Sequence, residues 1–196
     1  MRIIRFDPGA RILHWSHAIF FLWLLLTGIH LFFTPKSLLG DPLIKMVHLY
    51  ASIPFILIPA IFHLFGSSIH MHNDIKELMS LKNDDLKWFL NFFNRNHLSN
   101  KFNPGQKLNF LAALLLIIGL SLSGLVVWMK SMFSVDFVEF NFIVHDFLAE
   151  FSILLLSGHI IFALYHSESI RGIIYGVVDE EWAKKYYYEW WRKTQK

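Results

Sequence analysis

Four of the eleven histidines in this 196-residue chain fall in long apolar stretches, at spacings that suit metal ligation. His145 and His159 lie fourteen residues apart in the stretch 141–166. At about 100° and 1.5 Å per helical residue, fourteen steps end about 40° short of four turns and rise roughly 21 Å. The two imidazoles therefore share a helix face, near opposite sides of a hydrocarbon layer about 30 Å thick. Ionisable groups at such depths are costly and point to function. His14 begins the first apolar stretch and His48 the second. By depth, His48 pairs with His145 at one level and His14 with His159 at the other, each pair drawn from two helices. Two neutral imidazoles facing across a bundle bind a haem iron axially, one from each side. Such an iron has no open position for oxygen or substrate, which suits electron transfer, and two such haems about 20 Å apart along the membrane normal form a wire. Spacing leaves one alternative open. His63 lies fifteen residues after His48, about 60° beyond four turns, so it competes with His14 and would let the second and fourth spans supply all four ligands. His17, His30, His70, His72, His97 and His166 stand at span ends or in loops and read as solvated or structural. His166 is seven residues past His159 on the same face, within reach of an inner haem propionate.

The elements that must position these groups are apolar helices. The chain is 55% hydrophobic with a mean hydropathy of +0.43, and four runs are long enough to cross a bilayer: about 12–33, 44–64, 108–129 and 142–165. The expected fold class is an all-α membrane protein, a single-domain four-transmembrane-helix bundle over 1–196, with no repeat or low-complexity tract. Pro54 and Pro59 fall inside the second run and predict a bent helix there. The charged-then-apolar start is like a signal peptide, but its apolar part is too long and no small-residue cleavage site follows, so it reads as a helix. Of the eighteen Lys and Arg residues, only Lys36, Lys45 and Lys130 fall on one side of the four spans. The other fifteen share a side with both termini, which places the termini in the cytoplasm and the protein in the inner (cytoplasmic) membrane. The net charge of +3 then reflects topology, and no nucleic-acid partner is implied. Trp15, Trp88 and Trp128 fall near the interfaces. Cysteine is absent, which excludes disulfides, thiolate-held iron–sulfur clusters and covalent c-type haem in this chain. A cluster that feeds electrons in must belong to a partner.

Small residues fit the same picture. Gly28 shares the face of His14 at the outer depth, where a porphyrin on His48 and His145 would need the first span to give way. Ser121, Ser123 and Gly124 make a similar gap in the third span; ordinary small-residue helix packing explains both sets as well. In the cytoplasmic loop 69–107, Leu86, Phe89, Leu90 and Phe93 recur at helical spacing among charges, which predicts a short interfacial helix that anchors the loop or roofs a pocket. The tail 166–196 carries EEWAKKYYYEWWRKTQK, and its aromatics and bases suit a membrane surface.

The chain resembles the cytochrome b (gamma) subunit of membrane-bound respiratory formate dehydrogenases over nearly its whole length. The likeness rests on RILHWSHAIFFLWLLLTG, KMVHLYASIPF, KFNPGQKLNF, VHDFLAEFSILLLSGHIIFA and SIRGIIYGVVDEEWAKKYY. Cytochrome b subunits of hydrogenases and of thiosulfate or polysulfide reductases share the four-helix plan. The resemblance implies two haem b groups, ligated by His48 and His145 and by His14 and His159, and so favours His14 over His63. It also implies menaquinone reduction on the cytoplasmic side, at the loop matching Asn103 and Gln106 and around His159. The implied partners are an iron–sulfur (beta) subunit and a molybdenum or tungsten catalytic (alpha) subunit on the outer side, besides lipid and quinone. The chemistry of the loop agrees: amide side chains donate to a quinone carbonyl and accept from a quinol hydroxyl, and Pro104–Gly105 presents them on a turn. A plain helix cap is the other reading of the same residues. Asp146 and Glu150 depart from the family, which has small apolar residues there. A reading of a different class, a transition-metal transporter, would use the same histidines for zinc or copper.

Overall fold

The computed structural model describes residues 1–33, 42–65, 69–90 and 100–195, and of residues 63, 69 and 70 the backbone alone. In chain order the elements are β1 (Arg2–Ile4), α1 (Pro8–Phe33), α2 (Pro42–Phe65), α3 (Ile69–Leu78), α4 (Asn83–Leu90), α5 (Pro104–Trp128), a 3-10 turn (Lys130–Met132), α6 (Val135–Tyr165), α7 (Ser167–Tyr175), β2 (Val177–Asp179), α8 (Glu180–Tyr186) and α9 (Tyr188–Thr194). Among the described residues, α1, α2, α5 and α6 are long and apolar enough to cross a membrane. Their surfaces invert the pattern of a water-soluble protein. Thr27, Ser123 and Ser152 are buried, whereas Leu26, Leu115 and Leu154 are each at least 66% exposed. Polar groups turned inward and leucines turned outward are what a hydrocarbon solvent selects. The protein is a multi-pass membrane protein.

The helices begin before the apolar runs do, because caps and not the hydrocarbon edge fix their starts. Proline suits the first helical position, where its missing N–H is not needed, and α1 and α5 both open on one. Asp7 Oδ1 accepts from Ala10 N at 2.7 Å in front of α1, and Asn103 Oδ1 accepts from Gln106 N at 2.9 Å in front of α5. The largest difference is in α6, which begins at Val135 and not near 142. Its 31 residues span about 46 Å, longer than the hydrocarbon layer, so the polar residues Asp136 and Glu139 mark no helix end. α2 runs unbroken through Pro54 and Pro59.

The chain divides into two compact units. The first comprises residues 1–11, 67–114 and 157–196. Its ends are joined by an antiparallel ribbon in which Arg2, Ile3 and Ile4 pair with Asp179, Val178 and Val177. α7 stops at Gly176, whose φ of 81° belongs to the left-handed region; a Cβ there would lie 2.8 Å from the Phe6 carbonyl oxygen. Glycine is the residue that meets both demands. Val178, Ala183, Tyr187 and Trp190 form the core of this unit, with Ile3, Trp182 and Trp191 against it. The Arg5 guanidinium is buried among aromatic rings, 4.2 Å from the Tyr187 centroid and 5.0 Å from that of Trp182, and donates to Lys101 O at 2.8 Å. Cation–π contact of this kind strengthens when water is excluded. Several tail aromatics expected at a membrane surface therefore turn inward, drawn onto Arg5 and the ribbon.

The loop before α5 holds two described helices where the sequence suggested one. Asp74 on α3 pairs with Lys101 at 2.5 Å, and Glu77 accepts from Phe102 N at 3.1 Å. On α4, Leu86 and Leu90 face outward while Asp85 is buried against Lys107, 2.9 Å away. Phe93, Arg95 and His97 lie outside the described residues. The second unit comprises 12–66 and 115–156 and holds parts of the four long helices. In it α5 and α6 pack so closely that a Cβ on Gly119 would lie 2.7 Å from Leu148 Cδ1.

Candidate metal centre

Within the second unit, His48 on α2 and His145 on α6 face each other with ring centres 6.4 Å apart and planes at 72°. Two imidazoles bound in line through nitrogen to one metal, with bonds of about 2.0–2.1 Å, have centres about 6.3 Å apart. The pair thus already stands at the separation that bis-histidine ligation requires. Hydrogen bonding decides which nitrogen of each ring is available. Ser123 Oγ has one proton, and it lies 2.7 Å from Gly119 O and 3.3 Å from Leu120 O, both acceptors only. Its 3.0 Å contact with His145 Nδ1 must then be one in which Nδ1–H donates. Leu120 O, 3.1 Å from the same nitrogen, requires the same tautomer. His48 repeats the arrangement. Thr27 Oγ1 gives its proton to Trp23 O (2.8 Å) or Leu24 O (3.1 Å) and lies 2.8 Å from His48 Nδ1, so Nδ1–H donates to it; the His48 ring also bonds the Leu24 backbone. Both rings therefore carry their proton on Nδ1 and keep the Nε2 lone pair. A metal-bound histidine commonly donates its other ring N–H to an oxygen in this way, which orients the ring and raises its basicity.

The glycines act on these rings. A Cβ on Gly124 would lie 3.1 Å from His145 Cε1 and 3.4 Å from Nδ1, and one on Gly28 would lie 3.5 Å from His48 Cε1. In each helix the residue before the glycine holds Nδ1, and a leucine three residues before that supplies a carbonyl. Leu24-Leu-Leu-Thr27-Gly28 and Leu120-Ser-Leu-Ser123-Gly124 are thus two copies of one cradle. Thr27 was not singled out in the sequence, although this repeated hydroxyl–glycine pair at one depth in two spans was readable there.

Among the described residues, no three His, Asp or Glu side chains converge as a metal site. Two histidines alone match an iron whose other four positions a porphyrin fills, and fall short of the three or four protein ligands of a zinc site. The residues fit haem. Residues 5–176 match the family model described as prokaryotic cytochrome b561. The chain belongs to that family. Among similar proteins, the formate dehydrogenase cytochrome b556(fdo) subunit of Escherichia coli K12 is 28% identical over 209 residues, covering 99% of this chain and 94% of the relative. The nitrate-inducible formate dehydrogenase cytochrome b556(Fdn) subunit of the same strain is 26% identical, covering 99% and 92%. The formate dehydrogenase cytochrome b556 subunit of Haemophilus influenzae is 28% identical, covering 98% and 83%.

The other candidates of this cytochrome b561-family chain are distributed between the units. His14 belongs to the second, where its ring meets that of Trp15 edge-on at 5.2 Å. His17, read as an end-of-span residue, instead stacks on Phe55 with centroids 4.2 Å apart. The side chain of His63 lies outside the described residues. His159 belongs to the first unit, with Asn109 Nδ2 3.4 Å from its Nδ1. In the same unit Asn103 and Gln106 form a reciprocal cap: Gln106 Oε1 accepts from Asn103 N at 3.0 Å while Asn103 Oδ1 accepts from Gln106 N. This is the amide version of a capping box. Both amide oxygens are thereby used, and the amide nitrogens remain as donors. Asn103 Nδ2 lies 3.3 Å from the Tyr187 hydroxyl. Gly105 admits Trp88, whose ring would be 3.5 Å from a Cβ at that position, so α4 does lie over the turn. Asn109, Trp88 and Tyr187 are neighbours of these candidates that spacing alone had not marked.

Proposed function

We propose that this chain is the cytochrome b subunit of a formate dehydrogenase, carrying electrons from an iron–sulfur partner on the outer side to menaquinone on the cytoplasmic side. The observation that carries the reading is the His48/His145 pair, opposed at 6.4 Å with both Nδ1 atoms anchored. The formate dehydrogenase subunits that match nearly the whole chain supply the substrate class. His48 and His145 would hold one haem b through Nε2, and His14 and His159 a second. When bound, haem supplies one-electron transfer between the partner's cluster and the quinone. Thr27, Leu24, Ser123 and Leu120 keep the outer imidazoles in the ligating tautomer. Asn103 and Gln106 would present amide N–H groups to a quinone carbonyl, their oxygens being held by the cap. A molybdenum or tungsten subunit would oxidise formate outside, and proton uptake from the cytoplasm on quinone reduction would build a gradient.

The test is a reduced-minus-oxidised visible spectrum of the purified complex, with haem and subunit content measured. Two b-type haems per chain and co-purifying iron–sulfur and molybdenum or tungsten subunits are expected. A colourless protein, or one that holds zinc or copper instead, would overturn the reading, and a nickel subunit would redirect it to hydrogen.

A further inference from the structure

Glu150 is the sixteenth of the 31 residues of α6. A helix of that length rises about 46 Å against a hydrocarbon layer about 30 Å thick, so wherever the layer sits along it, the midpoint lies at least about 7 Å inside. Lysine and arginine can thread a long stem to the surface from such a depth, and a glutamate is too short to do so. Nor does the carboxylate turn into the bundle. The inward face of α6 is marked by His145 opposite His48, by Leu148 against Gly119 and by Ser152, which is buried. Glu150 stands about 140° to 160° around the helix from each of them, and it is exposed. Among the described residues no cation pairs with it.

The same side of α6 carries Asp136, Phe140, Ile143, Phe147 and Leu154, all exposed and all in the second unit. At about 100° and 1.5 Å per residue they fall within about 80° of Glu150, on a stripe about 27 Å long. Lipid serves the apolar residues of this stripe but not a carboxylate at its depth. A second copy of the chain does not serve it either. α6 has no Lys or Arg, and the other three long helices have one each, Arg11, Lys45 and Lys107, all at the fourth position from the helix start. None of these stands at mid-span, where Glu150 needs a partner.

We infer that this face of α6 receives a membrane-spanning helix of a different subunit, and that this helix carries a Lys or Arg at the depth of Glu150. Ionisable groups within a bilayer are accommodated by pairing, and a polar contact between two spanning helices also fixes their register. The apolar stripe packs against the incoming helix as well as it would against lipid, so Glu150 is the residue that selects the partner. This holds whatever the histidines bind.

The experiment uses the complex in its native membrane, with Phe147 replaced by the photo-reactive p-benzoylphenylalanine. Irradiation should join this chain to one other polypeptide. Mass spectrometry of the joined peptides should find there an apolar run of about 20 residues that contains Lys or Arg. Products with lipid only, with a second copy only, or with an apolar run that has no base would overturn the inference. Added to this background, Glu150→Lys should lower the yield of the joined product several-fold, and exchanging the partner's base for Glu should restore it. An unchanged yield in Glu150→Lys, or a loss that the exchange does not restore, would overturn the pairing. Haem content and thermal unfolding report whether the Glu150 variant is folded; if it is not, the product formed with Glu150 in place decides.

Discussion

Placing a methyl group on either cradle glycine tests whether the glycines serve the imidazoles or only the packing of helices. The two positions are chemically alike but sterically different. A Cβ on Gly28 would meet His48 Cε1 at 3.5 Å, an ordinary contact, whereas one on Gly124 would meet His145 Cε1 at 3.1 Å and Nδ1 at 3.4 Å. The His145 ring must then give by a few tenths of an ångström. It is not free to do so, because Nδ1 is held by Ser123 Oγ at 3.0 Å and Leu120 O at 3.1 Å. Any shift lengthens one of these bonds or turns the ring from its present placement opposite His48. Overpacking of this kind costs about 1–3 kcal/mol. At about 1.4 kcal/mol per tenfold, haem affinity at the outer site should fall by roughly five- to 150-fold in Gly124→Ala. Gly28→Ala should bind within about threefold of the wild type, since an alanine in ordinary contact adds little strain. The assay is haem content per chain by pyridine haemochrome, read together with the outer haem's low-temperature absorption band as detergent-solubilised complex is diluted. Equal retention in both variants would refute the reasoning, as would a larger loss from Gly28→Ala, and the glycines would then return to ordinary packing.

His145→Ala and His48→Ala should each lose the outer haem and keep the inner one, and His159→Ala should do the reverse; loss of both haems from any one folded variant would count against independent sites. His14→Ala should abolish the inner haem while His63→Ala leaves both, as haem quantitation will read, and the opposite pattern would move the ligand to α2. Asn103→Ala removes the cap and the contact with Tyr187 together, so it should destabilise α5 by about 0.5–2 kcal/mol and slow quinol formation with both haems still reducible by the donor. Gln106→Glu retains an oxygen for the Asn103 N–H but loses the amide donor, so it should weaken quinone binding by a few-fold to roughly tenfold with less effect on thermal stability than Asn103→Ala.

The sequence was most legible where one periodicity dominates. Four apolar runs predicted four long helices, and their depths alone paired His48 with His145, which the structure sets face to face. Helix ends were less legible. Val135 opens α6 well before the apolar run, because backbone hydrogen bonding continues through Asp136 and Glu139 whatever solvent surrounds them. The purpose of Gly28 and Gly124 was only half visible, since spacing shows that a residue is small but not which ring fills the space it leaves. Asn109 and Trp88 were not legible as neighbours of His159 and Gly105, because contacts between helices depend on rotation about each axis, which sequence does not record. The tail's aromatics were read by composition as a membrane anchor, and composition cannot foresee that Arg5 and Val178, more than 170 residues apart, draw several of them into a core.

The ribbon of Arg2–Ile4 with Val177–Asp179, extended by Glu180 N donating to Met1 O at 3.0 Å, has a consequence for biosynthesis. Residues 2–4 find their strand partner only about 175 positions later in the chain. Until the segment through Trp190 has been made, Arg5 lacks the rings of Trp182, Tyr187 and Trp190 and β1 has an open edge. A chain stalled after its fourth span would hold all four candidate haem ligands and still present an unpaired strand and a bare guanidinium. Those are features that quality-control proteases can engage, so this closure would make synthesis of the segment from Val177 to Trp190 a condition for survival in the membrane.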